Sequence, residues 1–187
     1  MTKLLIDADI YAFRALAATE EETNWGDDVW TLSADHRAAY AAFSSEMLKI
    51  KEELKSDDLL LCFSGSDNFR KQINPTYKGN RKNSRKPLGY AAFVDKLKQE
   101  YEWKQHDNLE ADDVLGMLAT RPDNAGACVV VSEDKDLMTI PCKLYRPHAD
   151  ERLDISEQDA DRNFFMQTLT GDPTDGYKGC PTIGAKR

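Results

Sequence analysis

Residues 127–136 read ACVVVSEDKD. The β-branched run at 127–131 predicts a buried strand, and the polar turn after it carries Asp134 and Asp136. The same arrangement recurs on either side. Leu4–Ile6 predicts a strand ending at Asp7, and Leu59–Phe63 one ending at Ser64. Between these strands the apolar residues take helical spacing. Tyr40, Phe43, Met47, Ile50 and Leu54 mark a long helix that follows Ser33 or Asp35, and Tyr90, Phe93, Leu97 and Tyr101 mark another. Ser156 with Asp159 makes a capping-box pattern before Phe164, Phe165 and Leu169. Glu20–Asp28 is polar and reads as a loop. Strands alternating with helices predict an α/β fold with a mainly parallel sheet. Asp7, Ser64 and Ser132–Asp136 then lie just past the carboxyl ends of strands, where open α/β sheets bind ligands.

The 187 residues suit one domain with a real core. A net charge of −8 argues against a general polyanion binder, although local charge matters more than the total. No apolar run approaches the roughly 18–20 residues of a membrane span. The N-terminal MTKLLIDAD reads as a strand entering the site, not as a signal peptide. Cys62, Cys128, Cys142 and Cys180 are scattered, with no CxxC, which implies a reducing cytoplasm and no structural zinc. His36, His106 and His148 lack metal-site spacing and read as surface or capping residues.

Eight carboxylates sit at the ends of the apolar runs: Asp7; Glu110, Asp112 and Asp113; Asp134 and Asp136; Asp172 and Asp175. Each group alone has a plain structural reading. Asp7 suits a helix N-cap, Glu110–Asp113 the first turn of a helix, Asp134 and Asp136 the cap of the next helix, and GDPTDG a turn. Together they point elsewhere. Carboxylates gathered by a fold repel unless cations lie between them, and hard divalent ions take oxygen ligands. Two such ions about 3.5–4 Å apart can cleave a phosphodiester. Segment 68–94 supplies the complementary charge: Arg70, Lys71, Lys78, Arg81, Lys82, Arg85 and Lys86, with no acidic residue. Tyr77 beside Lys78 and Phe69 beside Arg70 add rings able to stack on bases. The bland alternative is a solvated basic loop.

In order and spacing these motifs resemble the 5′-nuclease family: flap endonucleases, the 5′-nuclease domains of bacterial DNA polymerases, and phage 5′→3′ exonucleases. The resemblance runs through LIDADIYAFRA, FRKQINPTYKGNRK, EADDVLG, VSEDKDL and GDPTDGYKGCPTIGAKR, and the basic segment is most similar to that of a phage exonuclease. It implies a PIN-like fold with a basic helical arch at 68–90 inside a nuclease domain over residues 1–170. Residues 171–187 would begin a helix–hairpin–helix. It implies two Mg²⁺ or Mn²⁺ ions, with Asp7, Glu110, Asp112 and Asp113 at the first and Asp134, Asp136, Asp172 and Asp175 at the second. Arg70, Lys78 and Arg81 match the arch residues that contact the scissile phosphate, and Tyr77 a stacking residue. Lys71, Lys82, Arg85 and Lys86 would track the nucleic-acid backbone. Gly179, Ile183, Gly184 and Lys186 would grip duplex phosphates, with K⁺ as an aid. The implied substrate is DNA with a free 5′ end, flap or fork, or an RNA–DNA hybrid, cut by a monomer in the cytoplasm of a phage-infected or bacterial cell during phage DNA replication or degradation.

The chain departs from the family where many relatives carry an Asp after the second strand and it has Ser64; Asp67 is a candidate replacement. Two rival readings use part of the pattern. A noncatalytic nucleic-acid-binding module would keep the fold without the chemistry. A haloacid-dehalogenase-like phosphatase would use the spacing of Asp7 and Asp9, but leaves the EADD motif and the basic segment idle.

Overall fold

Strand β1 (Lys3–Asp7) is apolar on both faces, with Leu4, Leu5 and Ile6 fully buried. A strand without alternation belongs in the middle of a sheet covered on both sides, and there the computed structural model places it. The structure describes residues 2–79, 84–124 and 126–184. β1 pairs in parallel with β4 (Leu59–Phe63) on one side and β6 (Cys128–Val131) on the other. β5 (Trp103–Gln105) extends the sheet beyond β4. β7 (Lys143–Arg146) pairs in parallel with β6, and β8 (Glu151–Asp154) closes that edge antiparallel. The order is β5-β4-β1-β6-β7-β8.

Side chains alternate across the sheet, which divides the core in two. Leu4, Ile6, Leu61, Phe63 and Val131 pack with α1 (Ala8–Ala17), α2 (His36–Leu54) and α4 (Tyr90–Glu100). Phe43 of α2 meets Phe93 of α4 edge to face, with ring centroids 6.3 Å apart. Leu5, Cys62, Cys128 and Val130 pack on the opposite side with α5 (Ala111–Ala119), the short 3₁₀ helix Lys135–Thr139 and α6 (Glu157–Thr170). Asp35 caps α2 through Arg37 N and Ala38 N, settling which of the two expected starts is used. The Ser156–Asp159 capping box is present at α6. All four cysteines are free thiols, and no helix among the described residues is long and apolar enough to cross a membrane.

Glu20–Asp28 is not a loop. Glu20–Asn24 (β2) and Trp30–Ala34 (β3) form a separate antiparallel hairpin. Its turn places Gly26, Asp27 and Asp28 all at positive φ, which Gly, Asn and Asp tolerate best. The expectation failed because neither strand buries a side chain fully, so the usual apolar alternation is missing. The basic segment is short helix α3 (Phe69–Ile73), a turn around Asn74–Gly79, and residues 84–89 leading into α4. Arg81, Lys82 and Lys186 lie outside the described residues.

Core and surface positions give different sensitivities. Phe43→Ala, in a packed core, should lower unfolding free energy by about 3–5 kcal/mol. Phe165→Ala, at a side chain 62% exposed, should change it by less than about 0.5 kcal/mol. Urea unfolding of both variants checks this.

Candidate active site

Register brings the first two acidic positions together. Ile6 lies opposite Val131 in the β1–β6 ladder, so the next residues, Asp7 and Ser132, are neighbours at the sheet edge. Ser132 Oγ donates to Asp7 Oδ2 at 2.6 Å and accepts from Asp134 N at 3.0 Å. Asp134 in turn caps the 3₁₀ helix, accepting from Asp136 N. Asp7 stands at the N-cap position of α1, but its side chain makes no capping bond. It is 2% exposed.

The other acids keep their plain structural roles and still reach the same edge. Glu110 and Asp113 form a capping box at the start of α5. Asp172 Oδ1 accepts from Thr174 N at 2.7 Å in a turn closed by the Asp172–Tyr177 bridge. Three adjoining clefts of ≈390, ≈320 and ≈550 Å³ gather them. Asp7, Glu110, Asp112 and Asp134 line the first; Asp134, Asp136, Asp172 and Asp175 the second; Asp113 faces the third with Arg70 and Tyr77. Lys78 lines all three.

The electrostatics follow from this crowding. Burial, then the charges of Asp9 and Asp134, push Asp7 up to about 7, against the Ser132 hydrogen bond. Burial, Asp7, Asp134 and Glu110 push Asp112 up to about 8, with Lys78 opposing. Burial and Asp134 also raise Asp136. Burial works against the charge on Asp113, but the Arg70 guanidinium and the Glu110 amide outweigh it and hold the group low. At Asp172 burial is likewise outweighed, here by Lys135 at 3.1 Å and the Thr174 contacts.

The protein's own cations and donors occupy several of these oxygens. Arg70 makes a bidentate pair with Asp113, both contacts at 2.7 Å. Lys78 Nζ meets Glu110 Oε1 at 2.8 Å. The Tyr77 hydroxyl donates to Glu110 Oε2 at 2.9 Å, so the ring expected to stack on a base is held here by its hydroxyl. Gln167 Nε2 donates to Asp136 Oδ1 at 2.7 Å. As they stand, no three His, Cys, Asp or Glu side chains among the described residues are gathered so as to hold an ion. The donor set is nevertheless all hard carboxylate oxygen, the chemistry that suits Mg²⁺ or Mn²⁺.

Ser64 does not sit idle at the missing carboxylate. Its Oγ accepts from Ala111 N at 3.0 Å, fastening the first turn of α5 to the end of β4. Its own amide donates to Asp9 Oδ2, and Tyr90 OH donates to Asp9 Oδ1, both at 2.9 Å. Asp67 is exposed and lines none of the three clefts; the acid bonded to Ser64 is Asp9. Lys86 lines the first cleft with its ammonium 4.4 Å from the Tyr90 ring centroid. Arg85 is taken up by Glu20, and Lys71 is exposed outside the clefts. Gly179 approaches Gly171 so closely that a Cβ would lie 2.4 Å from the Gly171 amide nitrogen, whereas Gly184 faces open space and Ile183 is exposed. The sequence reading missed Ser132, Lys135, Gln167 and Tyr90 as supports; the one available signal was Ser132 directly after a strand that neighbours LLID.

Comparison with known proteins agrees with this geometry. Residues 2–163 match the family described as "5′-3′ exonuclease, N-terminal resolvase-like domain". The chain is 35% identical over 185 residues to an exonuclease of Escherichia phage T7, covering 94% of this chain and 62% of the relative. It is 34% identical over 190 residues to an exodeoxyribonuclease of Enterobacteria phage T3, covering 97% and 63%. It therefore spans just under two thirds of the length of these relatives. Among solved structures, the phage T5 D15 protein co-crystallised with metal ions superposes with a TM-score of 0.73 at 16% identity, covering all of this chain and 72% of that one. That likeness establishes the mainly parallel PIN-like fold.

The crowded acids set a pH test. Burial and the neighbouring carboxylates Asp7, Asp134 and Glu110 push Asp112 from an ordinary 3.8 up to about 8. Its raised value contributes stability that is present in acid and lost as pH rises through about 8. In EDTA, Asp112→Asn should therefore match the parent near pH 4 and melt higher than it by pH 8.5, with the gap widening across that range. A gap that does not widen with pH would show that Asp112 carries no such strain.

Proposed function

The chain belongs to the 5′-3′ exonuclease family, and from that premise we propose that it is a divalent-metal-dependent 5′-nuclease hydrolysing phosphodiesters in DNA. One observation carries the reading: two sets of carboxylates on a single sheet edge meet at one lysine, Lys78. Asp7, Glu110, Asp112 and Asp134 would hold one ion, and Asp134, Asp136, Asp172 and Asp175 a second, with Asp113 behind them. When bound, such ions supply charge stabilisation at the phosphate and a lower pKa for the attacking water.

The remaining work falls to the chain itself. Lys78 stands between the two acidic sets, where its ammonium can meet a phosphate and offset charge that builds up in the transition state. Arg70, paired with Asp113, fixes the turn that carries Glu110 and Asp112. Ser132 and Ser64 hold Asp7 and α5 at the sheet edge. Lys86 and Tyr90 form a wall of the first cleft where a cation and a ring can face a nucleotide. Hydrolysis leaves the water oxygen on phosphorus and returns a proton to the departing 3′ oxygen.

The phage T5 D15 flap endonuclease, which shares this fold, is known in a pseudo-enzyme-product complex with DNA and metal ions. We extend to this chain a DNA substrate with a free 5′ end, a flap or a fork.

A 5′-labelled branched DNA should be cut with Mg²⁺ and left intact with EDTA; binding without cutting under both conditions would instead favour the noncatalytic module. Lys78→Ala should slow single-turnover cleavage at saturating DNA by about 10²–10³-fold, as for loss of a transition-state charge donor. Lys71→Ala should leave that rate near the parent's while weakening binding and reducing its salt dependence.

A further inference from the structure

Tyr77 and Lys78 make an unusual contact. Glu110 and Asp175 are remote in sequence, and each belongs to a different acidic set. Both reach the same hydroxyl: Tyr77 OH lies 2.9 Å from Glu110 Oε2 and 3.1 Å from Asp175 Oδ2. A phenol has one proton to donate, so it serves the two oxygens alternately. The next residue adds charge, with Lys78 Nζ 2.8 Å from Glu110 Oε1 and 3.8 Å from Asp175 Oδ1. A single dipeptide thus bridges two carboxylates that would otherwise repel.

The backbone at this point is also unrelaxed. Lys78 has φ +52°, a conformation L-residues seldom adopt and that surrounding contacts must hold. The turn's backbone bonds are local: Tyr77 N to Asn74 O and Gly79 N to Thr76 O, both 2.9 Å. Asn74, Pro75 and Thr76 are exposed. Among the described residues, the Tyr77 and Lys78 side chains tie the turn to the sheet edge through Glu110 and Asp175.

We propose that Tyr77 and Lys78 form a latch that occupies the place of a cation between Glu110 and Asp175, so that metal entry and release of the Asn74–Gly79 turn are one coupled step. The proposal rests on the metal-dependent reading above and adds a regulation to that site. With the latch closed, the carboxylates are neutralised by the chain itself and the ammonium of Lys78 is spent on Glu110. A divalent ion competes for the same oxygens. Its binding frees Lys78 to face a phosphate, so the cation needed for chemistry becomes available when the metal is in place. An ion that binds only the latch-open form has its apparent affinity lowered by the closed population. Weakening the latch should then tighten metal binding, the opposite of what damage to the site would do.

The test is Mn²⁺ binding to the DNA-free protein, read by electron paramagnetic resonance of free Mn²⁺, with hydrogen exchange of the Asn74–Gly79 segment in parallel. Lys78→Met should bind Mn²⁺ about five- to tenfold more tightly than the parent, and Tyr77→Phe, which keeps the ring and loses only the hydroxyl, about two- to fivefold. Lys104→Met, which removes an exposed cation on β5 away from the clefts, controls for overall charge and should bind as the parent does. In the parent, Mn²⁺ should speed exchange at the Tyr77 and Gly79 amides. If the parent binds Mn²⁺ but both latch variants bind it no more tightly and exchange is unmoved, the latch is wrong and the metal reading stands. If the parent binds no Mn²⁺ at all, the metal reading fails and the latch with it.

Discussion

Mutual repulsion among carboxylates at one edge of a parallel sheet is the constraint around which this structure is built. Parallel strands deliver their carboxyl ends to the same side, and here that side receives Asp7 from β1, Asp134 and Asp136 after β6, and the start of α5 opposite Ser64 after β4. Burial makes the crowding expensive, as the upward displacement of Asp7 to about 7 and Asp112 to about 8 records. Among the described residues, Ser132, Arg70, Tyr77, Lys78, Lys135 and Gln167 supply protons or positive charge to these oxygens.

The supports fall into two kinds. Ser132, Ser64, Gln167 and the backbone amides of capping turns are fixed by the fold and hold acids in place without neutralising them. Arg70, Lys78, Lys135 and Tyr77 supply charge or protons from outside the sheet, three of them from the basic segment. Within the second kind, Arg70 clamps Asp113, whereas Tyr77 and Lys78 occupy oxygens of Glu110 that an external cation would compete for. That difference separates what builds the site from what the site must give up to work.

Much of this was legible in the sequence. LLID, LLLCF and ACVVV are short, apolar and without alternation, which predicts central strands, and in a parallel sheet the acid or serine at the end of each reaches the same edge. Capping logic set the start of α6 at Ser156 and narrowed that of α2 to Ser33 or Asp35, because a single side chain satisfies local amides. What was not legible depends on register or on unburied elements. The hairpin of β2 and β3 buries no face fully, and β5, β7 and β8 are short strands whose pairing the chain does not announce. The bond between Ser132 and Asp7 needs the β1–β6 register, the bond between Asp9 and the Ser64 amide needs α1 to sit against β4, and Tyr77 reads from sequence as a ring when its hydroxyl is what the fold uses.

The most direct measurement is the melting temperature of the parent protein at pH 8 in EDTA and in Mg²⁺. A cation that relieves the repulsion binds only the folded chain, so about 5 mM Mg²⁺ should raise the melting temperature by several degrees if it exceeds the dissociation constant about 100-fold. The same transition in EDTA and in Mg²⁺ would contradict the view that these carboxylates are assembled to hold a metal.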